Sequence, residues 1–195
     1  MRLFAAVFLL FVALSLFAAG FFFSNLTGTE QTFSYLQNSI NATATILTAE
    51  NVSFLRLTIY SVVPTNITVE VNGTVVGKNI TIPGNVTLYL QLPFNVSLNK
   101  TYAVLVGTSS SSINSTAKVL NVSLTYLKGV IDVYVSAVEL NETTFYSITN
   151  YGPYPVILVT LNETINPLQT VIGNVTFSNV TFLFKSENGS TEEFS

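Results

Sequence analysis

Sixteen of the nineteen asparagines in this 195-residue chain begin an Asn-x-Ser/Thr triplet. Because 44 of the 195 residues are Ser or Thr, chance placement would put a hydroxyl residue two positions after only about four asparagines. The triplet is the acceptor sequence for N-linked glycosylation, which joins a bulky, hydrophilic sugar to the asparagine side chain. The predicted acceptors are Asn25, Asn41, Asn51, Asn66, Asn72, Asn79, Asn85, Asn95, Asn99, Asn114, Asn121, Asn141, Asn162, Asn174, Asn179 and Asn188.

The middle residue of many triplets is aliphatic, which indicates how a strand would carry them. Since alternate residues of a strand face opposite sides, such a triplet places its asparagine and its hydroxyl residue outward and its aliphatic residue inward. We therefore expect acceptors on the solvent faces of strands as well as in turns, with Asn72 and Asn188, each followed by Gly, at loop tips. The nine aliphatic middle residues are Leu26, Val52, Ile67, Ile80, Val86, Val96, Val122, Val175 and Val180.

The elements that position these triplets are predicted to be strands almost throughout. Runs rich in Val, Ile, Thr, Tyr and Phe, several of them alternating, favour strands, and no segment after residue 40 has a clear helical period. Asn72-Gly73 and Lys128-Gly129 are each predicted to form the turn of a β-hairpin. The pattern predicts an all-β chain, a single Ig-like, Greek-key β-sandwich. The predicted strands include Val52–Val63, Val86–Leu92, Tyr102–Gly107, Ala117–Leu127, Val130–Leu140, Thr143–Thr149, Val156–Leu161 and Val180–Lys185.

The start of the chain has the pattern of a secretory signal. A positive charge at Arg2 precedes an apolar run, and Ala18-Ala19-Gly20 offers small residues for cleavage after Gly20. Residues 1–20 are therefore predicted to be a signal peptide, although the apolar run from residue 3 to residue 23 is also long enough to act as a membrane anchor. In either case the remainder is expected to be extracellular or at the cell surface.

The remainder divides into three predicted parts. Residues 21–37 form an N-terminal extension, residues 38–186 the β-sandwich, and residues 187–195 an acidic polar tail. The chain has no Cys, so this β-sandwich is expected to be stabilised by core burial alone.

Composition excludes many activities. The chain has no His and no Cys, and Asp132 is its single Asp, so imidazole and thiol chemistry are impossible. Glu139, Glu142 and Glu163 are interpreted as solvated charges at strand ends rather than as a glycosidase carboxylate pair. We therefore predict a protein that is not an enzyme, with no catalytic, metal or cofactor-binding residues and with covalent N-glycans as its only attached groups.

The chain has few charged residues: 9% of residues are charged and 49% are apolar. Its net charge is −3. The basic residues are not clustered densely enough to bind a phosphate backbone, so nucleic acid is not an expected partner. Contact with a membrane is expected only through residues 3–23, if the signal is retained. A chain this apolar needs another source of surface hydration, and a coat of sugars would supply it without titrating at low pH.

The segment that signal cleavage would free is a predicted donor strand. A sandwich that lacks one strand has unpaired edges and an apolar groove, which an extended segment of another chain can fill. Repeated head to tail, such a contact gives an open homopolymer. Residues 21–37 supply the aromatic side chains that would enter the groove, namely Phe21, Phe22, Phe23, Phe33 and Tyr35.

The signal ending at Ala18-Ala19-Gly20, the Asn-Val-Thr and Asn-Ile-Thr triplets, and the turn at 148–152 followed by Pro155-Val156 resemble one known family. The chain is similar in these features to subunits of crenarchaeal surface filaments, the threads and bundling pili. The resemblance implies Sec-dependent secretion, dense N-glycosylation, an N-terminal donor strand, and a role in adhesion or cell-cell contact. Two alternatives stay open: an archaeal type IV pilin whose N-terminal helix packs in the filament core, and a membrane-anchored or secreted binding module of a surface layer.

Overall fold

Strands dominate the fold because β-branched and aromatic residues recur through the chain. The computed structural model describes residues 40–176 and 180–194, and in these ranges it has fourteen strands, one short α-helix and one 3-10 turn. The predicted signal or anchor, the predicted donor segment 21–37, and the acceptors Asn25 and Asn179 lie outside the described residues.

Residues 40–121 supply the first seven strands. They are β1 (Ile40–Ala49), β2 (Val52–Ser61), β3 (Thr65–Val71), β4 (Thr74–Ile82), β5 (Val86–Gln91), β6 (Thr101–Gly107) and β7 (Ser112–Asn121). The remaining elements are α1 (Leu124–Gly129), β8 (Val133–Leu140), β9 (Thr143–Asn150), β10 (Val156–Leu158), the 3-10 turn (Val159–Leu161), β11 (Glu163–Ile165), β12 (Thr170–Val175), β13 (Phe182–Lys185) and β14 (Thr191–Phe194).

The first seven strands form one sheet, in the order β4-β3-β6-β7-β1-β2-β5. Adjacent strands in this sheet are antiparallel, except β1 and β7, which run parallel to each other. The sheet curls around its own core, so that β4 and β5 at its two edges approach each other. At Gly77 in β4, an added Cβ would lie 3.0 Å from Leu90 Cδ1 in β5, so the two edges are within side-chain contact there. Buried aliphatic residues such as Leu55, Leu57 and Val106 fill the curl.

The later strands form two smaller sheets. One has three strands, in the order β12-β9-β8, and the other has four, in the order β11-β10-β13-β14. They share a second core that contains Ile148 from β9 with Phe182 and Phe184 from β13. The Tyr146 and Phe182 rings meet edge to face at 5.4 Å. The predicted all-β class is therefore confirmed, with the strands arranged as a β-sandwich-like barrel.

Tyr151, just after β9, connects the seven-stranded sheet to the later strands. Its backbone N–H donates to the Asp132 carbonyl (2.7 Å), and its own carbonyl accepts from the Tyr89 N–H in β5 (2.9 Å). Its phenol donates to the Thr81 carbonyl in β4 (2.7 Å). One residue of the 148–152 turn therefore ties β4, β5 and the segment before β8 together.

The hairpin predicted at Asn72-Gly73 is confirmed. Both residues have positive φ, +50° and +80°, as the tight turn favoured between twisted strands requires. The hairpin predicted at Lys128-Gly129, with Ala117–Leu127 as its first strand, is wrong. β7 ends at Asn121, and Ser123 then caps α1 by accepting a hydrogen bond from the Tyr126 N–H (3.1 Å). A serine cap at this position favours a helix start over a continued strand.

Two further expectations differ from the structure toward the C-terminus. The strand predicted for Val156–Leu161 stops at Leu158 and continues as the 3-10 turn. The predicted acidic tail 187–195 contains β14, which pairs with β13. The Phe194 ring packs edge to face against Phe184 at 5.5 Å, and this apolar contact outweighs the acidic composition around it.

Candidate functional site: acceptor asparagines and an open groove

The predicted acceptors share one property, which is exposure to solvent. All fourteen whose placement the structure describes are exposed. None of the eight described aliphatic middle residues is exposed, and Ile67 and Ile80 are buried. The alternation expected from the sequence is thus present, while the attachment of sugars stays a prediction. The exposed acceptors are Asn41, Asn51, Asn66, Asn72, Asn79, Asn85, Asn95, Asn99, Asn114, Asn121, Asn141, Asn162, Asn174 and Asn188.

Asn150 shows the opposite behaviour and is not part of an acceptor triplet. It is buried, and its amide nitrogen donates to the carbonyls of Tyr154 and Ile165, both at 2.9 Å. Its amide oxygen accepts from the Gly152 N–H at 2.9 Å. All of its interactions satisfy backbone groups that would otherwise be buried unpaired. Among the described asparagines, Asn150 is thus the buried, structural one, while every asparagine of an acceptor triplet faces solvent.

Asn188 differs from the loop-tip site that its Gly neighbour predicts. Its amide oxygen accepts from the Ser186 and Ser190 hydroxyls and from the Ser190 N–H. Its amide nitrogen donates to the Thr125 carbonyl in α1 at 3.1 Å. A sugar on this nitrogen would crowd a hydrogen bond that holds the turn against the helix, so Asn188 is a less favourable acceptor in the folded protein than its Gly neighbour suggests.

The edges of the three sheets differ in how close they lie to an acceptor. The six edge strands are β4 and β5, β8 and β12, and β11 and β14. Four of them contain an acceptor or directly follow one, namely Asn79 in β4, Asn85 before β5, Asn162 before β11 and Asn174 in β12. β8 and β14 contain none, although Asn141 follows the end of β8. A sugar on an edge strand would block another strand from pairing there, so the edges that predicted acceptors leave open are β14 and the part of β8 away from Asn141.

An apolar groove of about 300 Å³ lies between these two strands. Its lining residues are Val135, Ala137, Val180, Phe182 and Phe194. Ala137 pairs with Tyr146 across the strands, so both face the interior, yet Tyr146 is 8% exposed while Ala137 is solvent-exposed. The inner face of β8 therefore lacks the cover that the inner face of β9 has.

The carboxylates considered in the sequence analysis lie on different elements. Glu139 and Glu142 are exposed at the β8–β9 turn, while Glu163 begins β11 in another sheet. Asp132 is half-buried, and burial raises its pKa although a hydrogen bond from Tyr89 and the Arg56 charge oppose that rise. Burial and the Asp132 charge in turn raise the pKa of the Tyr89 phenol. In residues 40–176 and 180–194, no three carboxylates lie close enough together to hold a metal ion.

No protein-family model matches this chain, and no curated protein matches it. Within the part of the chain that the structure describes, no helix is long and apolar enough to cross a membrane. A function can therefore be argued from two features. One is the open groove, whose position the sequence does not predict, and the other is the distribution of the acceptors over the sheets.

Proposed function

We propose that this chain is a structural subunit of an extracellular, N-glycosylated filament, assembled head to tail by strand donation and serving adhesion or cell-cell contact. The single observation that supports it most is the apolar groove between β8 and β14. The all-β body does not favour the type IV pilin alternative.

The groove has the chemistry that an added strand requires. An inserted strand would pair its backbone with an open edge, and its alternate side chains would cover Val135, Ala137 and Phe182. Such cover would remove apolar surface from water, at roughly 25 cal/mol per Å². Strand addition also places the contact inside the fold, where sugars on the outer surface do not interfere.

The proposed occupant is residues 21–37 of a second copy. The side chains of Phe21, Phe22, Phe23, Phe33 and Tyr35 are the anchors we assign to the apolar groove. Because donor and acceptor are different surfaces of one chain, each added subunit presents a new groove, and the contact propagates without closing. No enzymatic activity, nucleic-acid partner or cofactor is proposed.

A pair of neighbouring substitutions in β8 tests this proposal. Ala137 and Ser136 are both exposed, but Ala137 faces the groove and Ser136 faces the opposite side of the sheet. We expect Ala137→Asp to abolish filaments in negative-stain images of sheared surface material, because it buries a charge under the donor strand. Ser136→Asp should leave them intact.

Circular dichroism and the Tm of both purified variants would establish that each monomer still folds. N-terminal sequencing of native protein should give Phe21 as the first residue. Filaments of normal length from folded Ala137→Asp protein would contradict the proposal. Native protein found only as membrane-bound or free monomers would instead favour the binding-module alternative.

A further inference from the structure

A second groove, of about 570 Å³, lies between β4 and the outer face of the three-stranded sheet. Lys78, Asn79 and Thr81 line its β4 side. The opposite side is formed by Tyr134 in β8 and by a row of hydroxyl residues, namely Ser147, Thr149 and Thr170. In contrast to the groove between β8 and β14, this one is rich in hydrogen-bonding groups.

Asn79 reaches this groove because the backbone of β4 is irregular beside it. Ile80 pairs with Ile67 and Gly77 with Val69, so two residues of β4, Lys78 and Asn79, lie opposite one residue of β3. Such a bulge re-aims a side chain relative to the regular strand alternation. Asn79 has a φ of +55°, in the left-handed region that asparagine tolerates better than most residues. The chain therefore places a predicted sugar acceptor at the wall of a groove.

The opposite wall presents groups that a sugar ring can use. The Tyr134 side chain is 39% exposed and offers an aromatic surface with a polar hydroxyl at its end. Ser147, Thr149 and Thr170 each donate one hydrogen bond and accept others, and the Lys78 ammonium adds donors. The Thr149 and Thr170 hydroxyls are already joined to each other at 2.8 Å, which fixes their positions. A few placed polar groups beside an aromatic surface are typical of a small-ligand site.

We infer that the first sugars of the glycan on Asn79 occupy this groove, stacked on Tyr134 and hydrogen-bonded to the hydroxyl row. The inference rests on the glycosylation in the proposed function. Covalent attachment gives the sugar a high effective concentration at the groove, so individually weak contacts are enough to hold it there. The seated glycan then bridges β4 to the three-stranded sheet and covers the open side of β4.

The test uses the glycosylated protein and variants at three positions. NMR spectra should contain sugar-proton signals shifted upfield by the Tyr134 ring. These signals should disappear in Asn79→Gln and in Tyr134→Leu, which keeps an apolar side chain but lacks the ring. They should persist in Asn114→Gln, a matched control whose asparagine is an exposed acceptor in β7 and does not line this groove.

Thermal unfolding gives a second measurement. In glycosylated protein we expect Asn79→Gln to lower the Tm by about 2–4 °C and Asn114→Gln to lower it by less. Substituting Tyr134→Leu in addition to Asn79→Gln should cost less than Tyr134→Leu alone, because the sugar contact is already gone. In protein made without glycosylation, this difference should vanish.

Three results would overturn the inference. One is an Asn79 shown by mass spectrometry to carry sugar without upfield-shifted signals. Another is the persistence of these signals in Asn79→Gln, since the sugar would then come from a different site or molecule. The third is an unmodified Asn79 in native protein whose other acceptors are occupied. Each of these leaves the filament proposal standing, because that proposal depends on Ala137 and the other groove.

Discussion

The surface of residues 40–121 differs in composition from the surface of residues 122–194. Ten of the fourteen described acceptors lie in the first region and four in the second. Large apolar side chains on the described surface follow the reverse distribution, with five exposed in the first region and nine in the second. The nine are Tyr126, Tyr134, Val138, Leu140, Phe145, Ile157, Val159, Leu168 and Ile172.

The difference follows from how each region closes its core. The seven-stranded sheet curls on itself and buries its apolar face, so its outer face is available for acceptors. The three-stranded and four-stranded sheets leave β8 and β14 open, and the inner face of β8 is partly uncovered. An apolar surface that is neither covered nor sugar-coated is costly in a soluble monomer and is typical of contact sites. The first region thus presents most of the predicted acceptors, and the second presents most of the exposed large apolar side chains.

The largest effect is expected from the core of the second region. Phe184→Ala removes a fully buried ring and should lower the free energy of unfolding by about 3–5 kcal/mol. Phe145→Ala, a change of the same residue type at a 47% exposed position, should change it by less than about 0.5 kcal/mol. Chemical denaturation of both variants measures the contrast. A small loss in Phe184→Ala would mean that the second region has no core of its own and depends on the first.

The turn at 148–152, from which Tyr151 contacts β4 and β5, gives the next effect. Asn150→Ala removes three hydrogen bonds to backbone groups, two of them buried, so we expect a loss of about 3 kcal/mol in unfolding free energy. The exposed Asn166 serves as the control, because its alanine variant should lose less than about 0.5 kcal/mol. If the regions depend on this turn, Asn150→Ala should also split the unfolding transition in calorimetry. A single unshifted transition would contradict the assigned role of the turn.

The sequence was sufficient to predict the features that depend only on neighbouring residues. Alternation along a strand depends on adjacent residues, so the orientation of the triplets centred on Ile67 and Ile80 was predictable. The Asn72-Gly73 turn was predictable because both positions need positive φ. The six-residue helix α1 was missed, since fewer than two turns give too little periodicity to recognise and its Ser123 cap is a weak signal alone.

The features that support the proposed function are nonlocal and were not predictable from the sequence. Which strands become sheet edges depends on pairing across the chain, so the groove between β8 and β14 was expected in kind but not in place. Asn150 lies in the 148–152 turn that the sequence predicts, yet its role depends on Ile165, fifteen residues away. The acidic residues after residue 186 favoured a solvated tail, so β14 was not predicted. Its pairing with β13 is accompanied by the apolar contact between Phe184 and Phe194.

A smaller effect should follow from the exposed apolar side chains of the second region. Ile172, in β12, is 79% exposed, and Ile172→Thr keeps a β-branched side chain that suits a strand. We expect its unfolding free energy to change by less than about 0.5 kcal/mol, while the solubility of unglycosylated protein increases. Val75→Thr, an exposed position in β4 of the first region, provides the comparison. Equal gains in solubility at both positions would remove the proposed difference between the two surfaces.

The smallest effect concerns pH and Asp132, near the connection between the regions. Burial raises the pKa of Asp132 above its ordinary value of 3.8, so the folded state favours the protonated carboxyl more than the unfolded state does. The folded protein therefore gains stability as pH falls through the raised pKa, and the gain is complete below the ordinary value. Asp132→Asn removes this titration and should be more stable than the parent protein at pH 7, with the advantage disappearing near pH 3. Thermal melts across this range measure it, with exposed Glu139→Gln as the charge control. An advantage that persists unchanged at pH 3 would show that the carboxylate charge is not the cause.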